Sequence, residues 1–115
     1  MFKSFAAAIN GLLIALRTER NIQIHLVIAI IIYYVSRWLE LIRFEMAIIW
    51  ICFAMVIGAE LLNTSIEALC DKVESKQDPQ IKKVKDVAAG AVLFISICAA
   101  IIGLYIMLPK LLVKL

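Results

Sequence analysis

Residues 87 to 109 read VAAGAVLFISICAAIIGLYIMLP, and no charged side chain interrupts this run. A second uncharged run, MAIIWICFAMVIGA, covers residues 46 to 59. Runs of this kind are typical of membrane-spanning helices, because about 20 apolar residues in a helix cross the hydrocarbon core of a bilayer. They predict an all-α integral membrane protein.

The composition argues against an ordinary soluble domain. Hydrophobic residues make up 64% of the chain and charged residues 18%, whereas soluble domains are about 45–50% apolar. The net charge of +3 is modest and forms no basic stripe with interleaved aromatic residues, which argues against a nucleic-acid partner. Cys52, Cys70 and Cys98 form no CxxC pair and are interpreted as small buried apolar residues.

The charged residues divide a single membrane domain, residues 1 to 115, into segments. Residues 1 to 20 predict an amphipathic surface helix, since apolar residues from Phe2 to Leu16 recur at intervals of three and four. The predicted spans are residues 22 to 39, residues 46 to 69 with a cytoplasmic extension, and residues 87 to 108. Residues 71 to 86 predict a cytoplasmic link, with a short loop that leads into the next helix at Pro79, and Pro109 is expected to end the third span.

The basic residues predict the orientation in the membrane. Of the 12 Lys and Arg residues, eight lie in the N-terminal segment and in the link between the second and third spans, and four lie elsewhere. Cytoplasmic segments carry an excess of these residues. We therefore expect a multi-pass protein of the cell (inner) membrane with a cytoplasmic N-terminus.

Four polar residues share one face of the second predicted span. Glu60, Asn63, Glu67 and Asp71 follow one another at steps of three, four and four residues, which places them on one side of a helix. A charged group at bilayer depth costs about 2.5–3.5 kcal/mol on insertion scales and is usually functional. Glu67 and Asp71 also fit an ordinary solvated helix end, and Asn63 fits a helix-to-helix contact, but Glu60 follows a long uncharged run and fits neither.

Two further polar clusters are expected on the same cytoplasmic side. One surrounds Glu19 and the other contains Lys85 and Asp86. Carboxylates such as Glu19, Glu67 and Asp86 are suited to Mg²⁺, which takes a few hard oxygen ligands together with phosphate oxygens, and Lys85 is suited to phosphate charge. These clusters suggest phosphoryl transfer from a soluble nucleotide to an acceptor in the membrane.

Common nucleotide and metal motifs are missing from the sequence. It contains no GxxxxGK[ST] run, and its four glycines are dispersed, so a nucleotide site here has to be of another kind. His25 has no Cys or His neighbours in the sequence, which argues against zinc. We interpret His25 as a polar residue at a helix end, near the lipid headgroups.

The chain resembles the small prokaryotic diacylglycerol kinase family, which includes the undecaprenol kinases. The resemblance covers residues 2 to 108 and depends on three motifs in the family's order and spacing. These are Thr18-Glu19-Arg20-Asn21 followed by Ile24-His25-Leu26, then Glu60-Leu-Leu-Asn63-Thr-Ser-Ile-Glu67, and finally Lys85-Asp-Val-Ala-Ala-Gly90-Ala-Val-Leu93.

The resemblance implies a homotrimer with composite sites between subunits, in which MgATP phosphorylates a lipid hydroxyl. It implies that Glu60 is the general base and that Glu19 and Glu67 bind the metal. It also implies that the nucleotide and phosphate site contains Lys3, Glu19, Asn63, Glu67, Lys85 and Asp86.

Two questions of function stay open at this point. The Thr-Glu-Arg-Asn and Lys-Asp-Val-Ala-Ala-Gly stretches resemble the undecaprenol kinase branch more than the proteobacterial-type diacylglycerol kinases, which favours undecaprenol over diacylglycerol as the acceptor. The surface helix departs from the family pattern at residues 6 to 8, although Lys3 keeps its match. The alternative function is a small oligomeric proton-coupled transporter that uses a membrane-embedded glutamate.

Overall fold

The computed structural model describes residues 1–73 and 78–115. This part of the chain is folded into four helices: α1, Phe2–Thr18; α2, Arg20–Trp38; α3, Arg43–Val73; and α4, Pro79–Lys114. Three of them, α2, α3 and α4, are long and apolar enough to cross a membrane. The predicted all-α membrane fold, with a shorter N-terminal helix ahead of three long ones, is confirmed.

The corner between α1 and α2 lies at Glu19, whose extended backbone (φ −99°, ψ 111°) separates the two helices. Side chains on both sides of the corner bond to the last turn of α1. Thr18 Oγ1 donates to the carbonyl of Ile14 at 2.7 Å, and Gln23 Nε2 donates to the carbonyl of Leu16 at 2.9 Å. These bonds satisfy carbonyls that the helix end leaves without a partner. They also fix the angle between α1 and α2.

The turn between α2 and α3 is a Schellman motif. The backbone N–H of Leu41 donates to the carbonyl of Ser36 at 3.2 Å, and that of Glu40 donates to the carbonyl of Arg37 at 3.1 Å. Glu40 occupies the left-handed position of the motif with φ 59°, where glycine is usual because a Cβ atom is unfavourable there.

Helix α3 packs against both α4 and α2. Few side chains are buried between them, and most of the large apolar residues are exposed, Phe2 by 89% and Tyr105 by 83%. The small residues do not bring the helices of one chain close together, since a Cβ atom added to Gly58 or Gly103 would have no contact within 4 Å.

Most of the described residues in the predicted link at residues 71 to 86 are helical. Helix α3 continues to Val73, and α4 begins at Pro79. Asp78 caps α4 by accepting from the backbone N–H of Gln80 at 2.8 Å, and Pro79 suits the first helical position because its missing N–H would have no partner there. The charged residues on either side are helical because a helix that extends past the membrane can carry a solvated surface. Residues 74–77 lie outside the described part of the chain.

The sequence predicted that the third span ends at Pro109, but the helix does not end there. Helix α4 continues through it to Lys114, although proline removes one backbone hydrogen bond inside a helix. Two contacts hold the turns beyond it against the α2–α3 turn. Lys110 Nζ lies 3.1 Å from Glu45 Oε1, and Lys114 Nζ donates to the carbonyl of Trp38 at 2.7 Å.

Candidate functional site

Glu60 is a buried acid on α3. Glu60 as a whole is 6% exposed. Its carboxylate oxygen Oε1 lies 3.4 Å from Nε2 of His25, which is near the start of α2. A charged or polar group that is hidden in an apolar protein needs a polar partner. The antiparallel pair α2 and α3 supplies that partner by bringing the beginning of one helix beside the second half of the other.

One turn further along α3, Asn63 and Glu67 form a hydrogen-bonded pair. Asn63 Nδ2 donates to Glu67 Oε1 at 3.0 Å, a contact that follows from the four-residue spacing on a helix. The other amide atom, Asn63 Oδ1, is buried and has no hydrogen-bond partner among the described residues. A buried acceptor without a partner is rare, and this one belongs to the amide that bonds the exposed Glu67 carboxylate.

An ion pair joins α3 and α4 at the end of the same row. Lys85 Nζ lies 2.8 Å from Asp71 Oδ1. The pKa of Lys85 is raised above its ordinary value, first by this hydrogen bond and then by the charge of Asp71, so the ammonium is cationic at neutral pH. Asp86 accepts from Lys82 Nζ, one turn earlier on α4, at 2.7 Å.

Glu19 and Lys3 stand apart from this row within one chain. Glu19 occupies the N-cap position of α2, but its side chain makes no capping hydrogen bond. Lys3 is exposed on the first turn of α1. In residues 1–73 and 78–115, no hydrogen bond or ion pair joins either residue to Glu60, Asn63 or Glu67.

The described residues contain no group of three or more His, Cys, Asp or Glu side chains placed to hold a metal ion. Mg²⁺ does not require such a group, because it is commonly held by one or two carboxylates together with substrate phosphates and water. The exposed Glu67 carboxylate and the unpaired Asn63 Oδ1 are hard oxygen donors of the type that Mg²⁺ prefers. The residues on α3 therefore fit a shared metal–nucleotide site.

An apolar groove of about 610 Å³ lies between α2, α3 and α4. Its lining extends from His25, near the start of α2, to Leu39 at the end of that helix and Leu111 on α4. At a rise of about 1.5 Å per residue, the stretch of α2 that lines it is about 21 Å long. The histidine end of the groove is next to Glu60, and the apolar lining suits a hydrocarbon chain.

His25 and Asp71 are the two residues whose part in this arrangement the sequence did not reveal. His25 had been interpreted as a helix-end residue near the headgroups, but it contacts Glu60. Asp71 had been counted as the last member of the polar row without a partner of its own. The position of His25 in the sequence could have indicated this contact. It follows Glu19 by six residues, and six residues along a helix place it deeper in the membrane than the charged corner.

Comparisons with known proteins identify the family. The family model for prokaryotic diacylglycerol kinase matches residues 6–107. An undecaprenol kinase from Bacillus subtilis is 42% identical over 110 residues, which cover 96% of this chain and 89% of that protein. A diacylglycerol kinase from Synechocystis sp. is 34% identical over 110 residues, 95% of this chain and 63% of that protein. Both relatives have kinase names, and neither supports the transporter alternative. The resemblance based on three short motifs is confirmed: the chain belongs to the prokaryotic diacylglycerol kinase family.

Proposed function

We propose that this protein is a membrane lipid kinase that transfers the γ-phosphoryl group of MgATP to the hydroxyl of undecaprenol. The observation that carries the proposal is the position of Glu60. Its carboxylate is buried, lies at the polar end of an apolar groove, and is followed along α3 by polar groups suited to a nucleotide.

The acceptor side of the site is the groove together with Glu60. An acceptor whose tail lies along the groove presents its hydroxyl near His25 and Glu60. The Glu60 carboxylate then accepts the hydroxyl proton as the oxygen attacks the γ-phosphorus atom. Undecaprenol is preferred to diacylglycerol as the acceptor because, of the two relatives, the undecaprenol kinase has the higher identity.

The donor side lies about 10 Å further along α3, the distance that seven residues of helix cover. Glu67 and Asn63 would hold Mg²⁺ and the nucleotide, Lys85 would contact phosphate oxygens, and Asp86 would complete the nucleotide site. Bound Mg²⁺ neutralises phosphate charge. The Asp71 carboxylate supports the role of Lys85 by keeping its ammonium directed toward α3.

We also propose that the active enzyme is a homotrimer with sites shared between neighbouring subunits. Two features of the single chain support this. Large apolar side chains are exposed on every helix, and among the described residues no hydrogen bond or ion pair joins Glu19 or Lys3 to the Glu60 to Glu67 row. In the trimer, Glu19 would complete the metal site and Lys3 the nucleotide site of an adjacent subunit.

The proposed location is the cell (inner) membrane, with the N-terminus and the link between α3 and α4 in the cytoplasm. The antiparallel order of α2 and α3 supports it, because the α1–α2 corner and the end of α3 then lie on one side of the membrane. The basic residues concentrate in these same two regions, and ATP is a cytoplasmic substrate.

Phosphate transfer in mixed micelles tests the function directly. Purified protein is incubated with Mg²⁺, γ-labelled ATP and either undecaprenol or diacylglycerol, and the labelled lipid is counted. We expect transfer to undecaprenol at the higher kcat/KM, and no transfer to either lipid when Mg²⁺ is chelated. Transfer to diacylglycerol alone would overturn the assignment of undecaprenol as the acceptor. Transfer to neither lipid would overturn the assignment as a lipid kinase.

A further inference from the structure

His25 is the side-chain partner of Glu60 among the described residues. The two lie 3.4 Å apart, with the Glu60 side chain 8% exposed and the His25 side chain 27% exposed. His25 also lines the apolar groove. Its imidazole therefore lies between the space proposed for the lipid tail and the carboxylate proposed to receive the hydroxyl proton.

The chemistry of the pair determines which group donates. An ionised carboxylate can only accept hydrogen bonds. His25 must therefore present an N–H at Nε2, which both the cationic ring and one of the two neutral tautomers provide. At 3.4 Å the two atoms are within ion-pair distance, but the contact is longer than a well-formed N–H···O bond and is not one of the hydrogen bonds of the structure; catalytic contacts commonly tighten when the substrate binds.

The contact restricts the orientation of the carboxylate. The last torsion of a glutamate side chain is broad, so an unpartnered Glu60 carboxylate would sample many orientations. The His25 ring lies 3.4 Å from Oε1, and a hydrogen bond formed there would leave Oε2 for another partner. Correct orientation of the reacting groups supplies a large part of the rate in phosphoryl transfer, where the transition state needs little covalent assistance.

We propose that His25 is a positioning residue whose Nε2–H holds Oε1 of Glu60, so that Oε2 faces the hydroxyl of the lipid acceptor. This inference rests on the proposed function, in which Glu60 is the general base. It makes His25 part of the acceptor side of the site and leaves the nucleotide side independent of it.

Three substitutions at position 25 test the donor role. We expect His25→Leu to lower kcat by about 10- to 100-fold, as expected for loss of a hydrogen bond to a charged group, with little change in the KM for ATP. His25→Gln places an amide N–H at a reach similar to that of Nε2 and should recover most of the loss, whereas the shorter His25→Asn should not. Ile31→Leu, which changes an exposed residue of α2 that does not line the groove, is the matched control. Equal losses in His25→Gln and His25→Leu would overturn the donor role.

A double-mutant cycle separates positioning from a general structural effect. If His25 acts through Glu60, His25→Leu should cause no further loss in a Glu60→Gln background. A structural role would lower the residual activity, or the thermal stability in micelles, equally in both backgrounds. That result would overturn the proposal.

Nuclear magnetic resonance provides a readout that needs no turnover. The chain has one histidine, so the ¹⁵N signals of its ring are unambiguous in detergent micelles. We expect Glu60→Gln to shift the Nε2 signal and Glu45→Gln, at the opposite end of α3, to leave it in place. An unmoved signal in Glu60→Gln would overturn the pairing of His25 with Glu60. A shifted signal in a protein that phosphorylates neither lipid would instead retain the pairing and overturn the lipid kinase function.

Discussion

The Nζ atom of Lys85 on α4 lies 2.8 Å from Oδ1 of Asp71 on α3. Both residues are close to the connection between the two helices, and Lys85 belongs to the proposed phosphate site. The pair directs a flexible lysine toward the polar row before any nucleotide is bound. An exposed pair of this kind adds little to stability, so its main effect is expected on substrate binding.

Asp71→Asn is therefore expected to raise the KM for ATP by about 2- to 5-fold, the range typical of exposed ion pairs, with little change in kcat or in thermal stability. Lys85→Met removes the phosphate contact itself and should raise the KM for ATP much further. Steady-state kinetics with varied ATP measures both, and Lys83→Met is the matched control on the same turn of α4. A normal KM in Lys85→Met would remove Lys85 from the nucleotide site.

Glu67→Gln should raise the Mg²⁺ concentration required for half-maximal activity or abolish turnover, while the protein still inserts and assembles. The reason is that a neutral amide is a weaker ligand for a hard cation than a carboxylate is. Mg²⁺ titrations of the variant and of Glu40→Gln, an exposed acid outside the site, measure the effect. Unaltered rate and metal dependence in Glu67→Gln would remove this residue from the metal site.

Hydropathy and helical spacing predicted much of the fold and part of the site. Apolar runs of about 20 residues span a bilayer as helices, which satisfy their backbone hydrogen bonds internally, and this is why α2, α3 and α4 were evident. The Asn63–Glu67 hydrogen bond was implicit in the spacing, because contacts along one helix depend only on helical geometry. Local rules therefore determined these features.

Features that depend on how helices meet were not predictable in this way. The His25–Glu60 contact requires the antiparallel register of α2 and α3, and that register is set by the Schellman turn at Glu40. Helix α4 continues past Pro109 because Lys110 and Lys114 contact the α2–α3 turn. A local proline rule cannot include those tertiary contacts. The charge of residues 71 to 86 likewise indicated exposure, which helices and loops share.

The topology predicts opposite labelling of the two ends of α4. In a background without the native cysteines, Lys83→Cys should react with a membrane-impermeant maleimide from the cytoplasmic side, and Leu112→Cys should react from the outer side. Oriented vesicles with intact and permeabilised membranes provide the comparison. Labelling of both positions from the same side would contradict a third span and the shared cytoplasmic site.

The contact at the other end of the bundle predicts a pH dependence of stability. The pKa of Glu45 is lowered below its ordinary value, first by the hydrogen bond from the backbone N–H of Ile42 and, against the opposing effect of burial, by Lys110. Because the folded pKa is below the unfolded value of about 4.3, this contribution is fully present above that pH and is lost as the pH falls through the folded pKa.

Thermal unfolding in micelles tests this dependence with Glu45→Gln. The wild-type protein should have the higher Tm at pH 7, and the difference should shrink below the unfolded pKa of about 4.3 and disappear as the pH falls through the lowered folded pKa. Glu40→Gln, in the same turn but exposed, should show no such convergence. A constant difference between the wild-type protein and Glu45→Gln across this range would mean that the Glu45 charge does not stabilise the fold.

Glu60 is expected to affect catalysis rather than nucleotide binding. It is buried at the end of the groove, whereas Glu67 lies two turns further along α3 and is exposed. A group that receives the acceptor proton acts mainly in the transition state, so its removal lowers kcat and leaves ATP binding nearly intact. We therefore expect Glu60→Gln to lower kcat by about 10²- to 10⁴-fold, with only a small change in the KM for ATP.

The same kinetic comparison distinguishes this role from that of a nucleotide ligand. Glu67→Gln is the matched variant, since it makes the same chemical change on the same helix. If Glu60→Gln instead kept a near-normal kcat while the KM for MgATP rose steeply, Glu60 would belong to the nucleotide side. The base would then have to be another acid on the cytoplasmic side, with Asp86 first, because it is exposed and Lys82 holds it in place from one turn away.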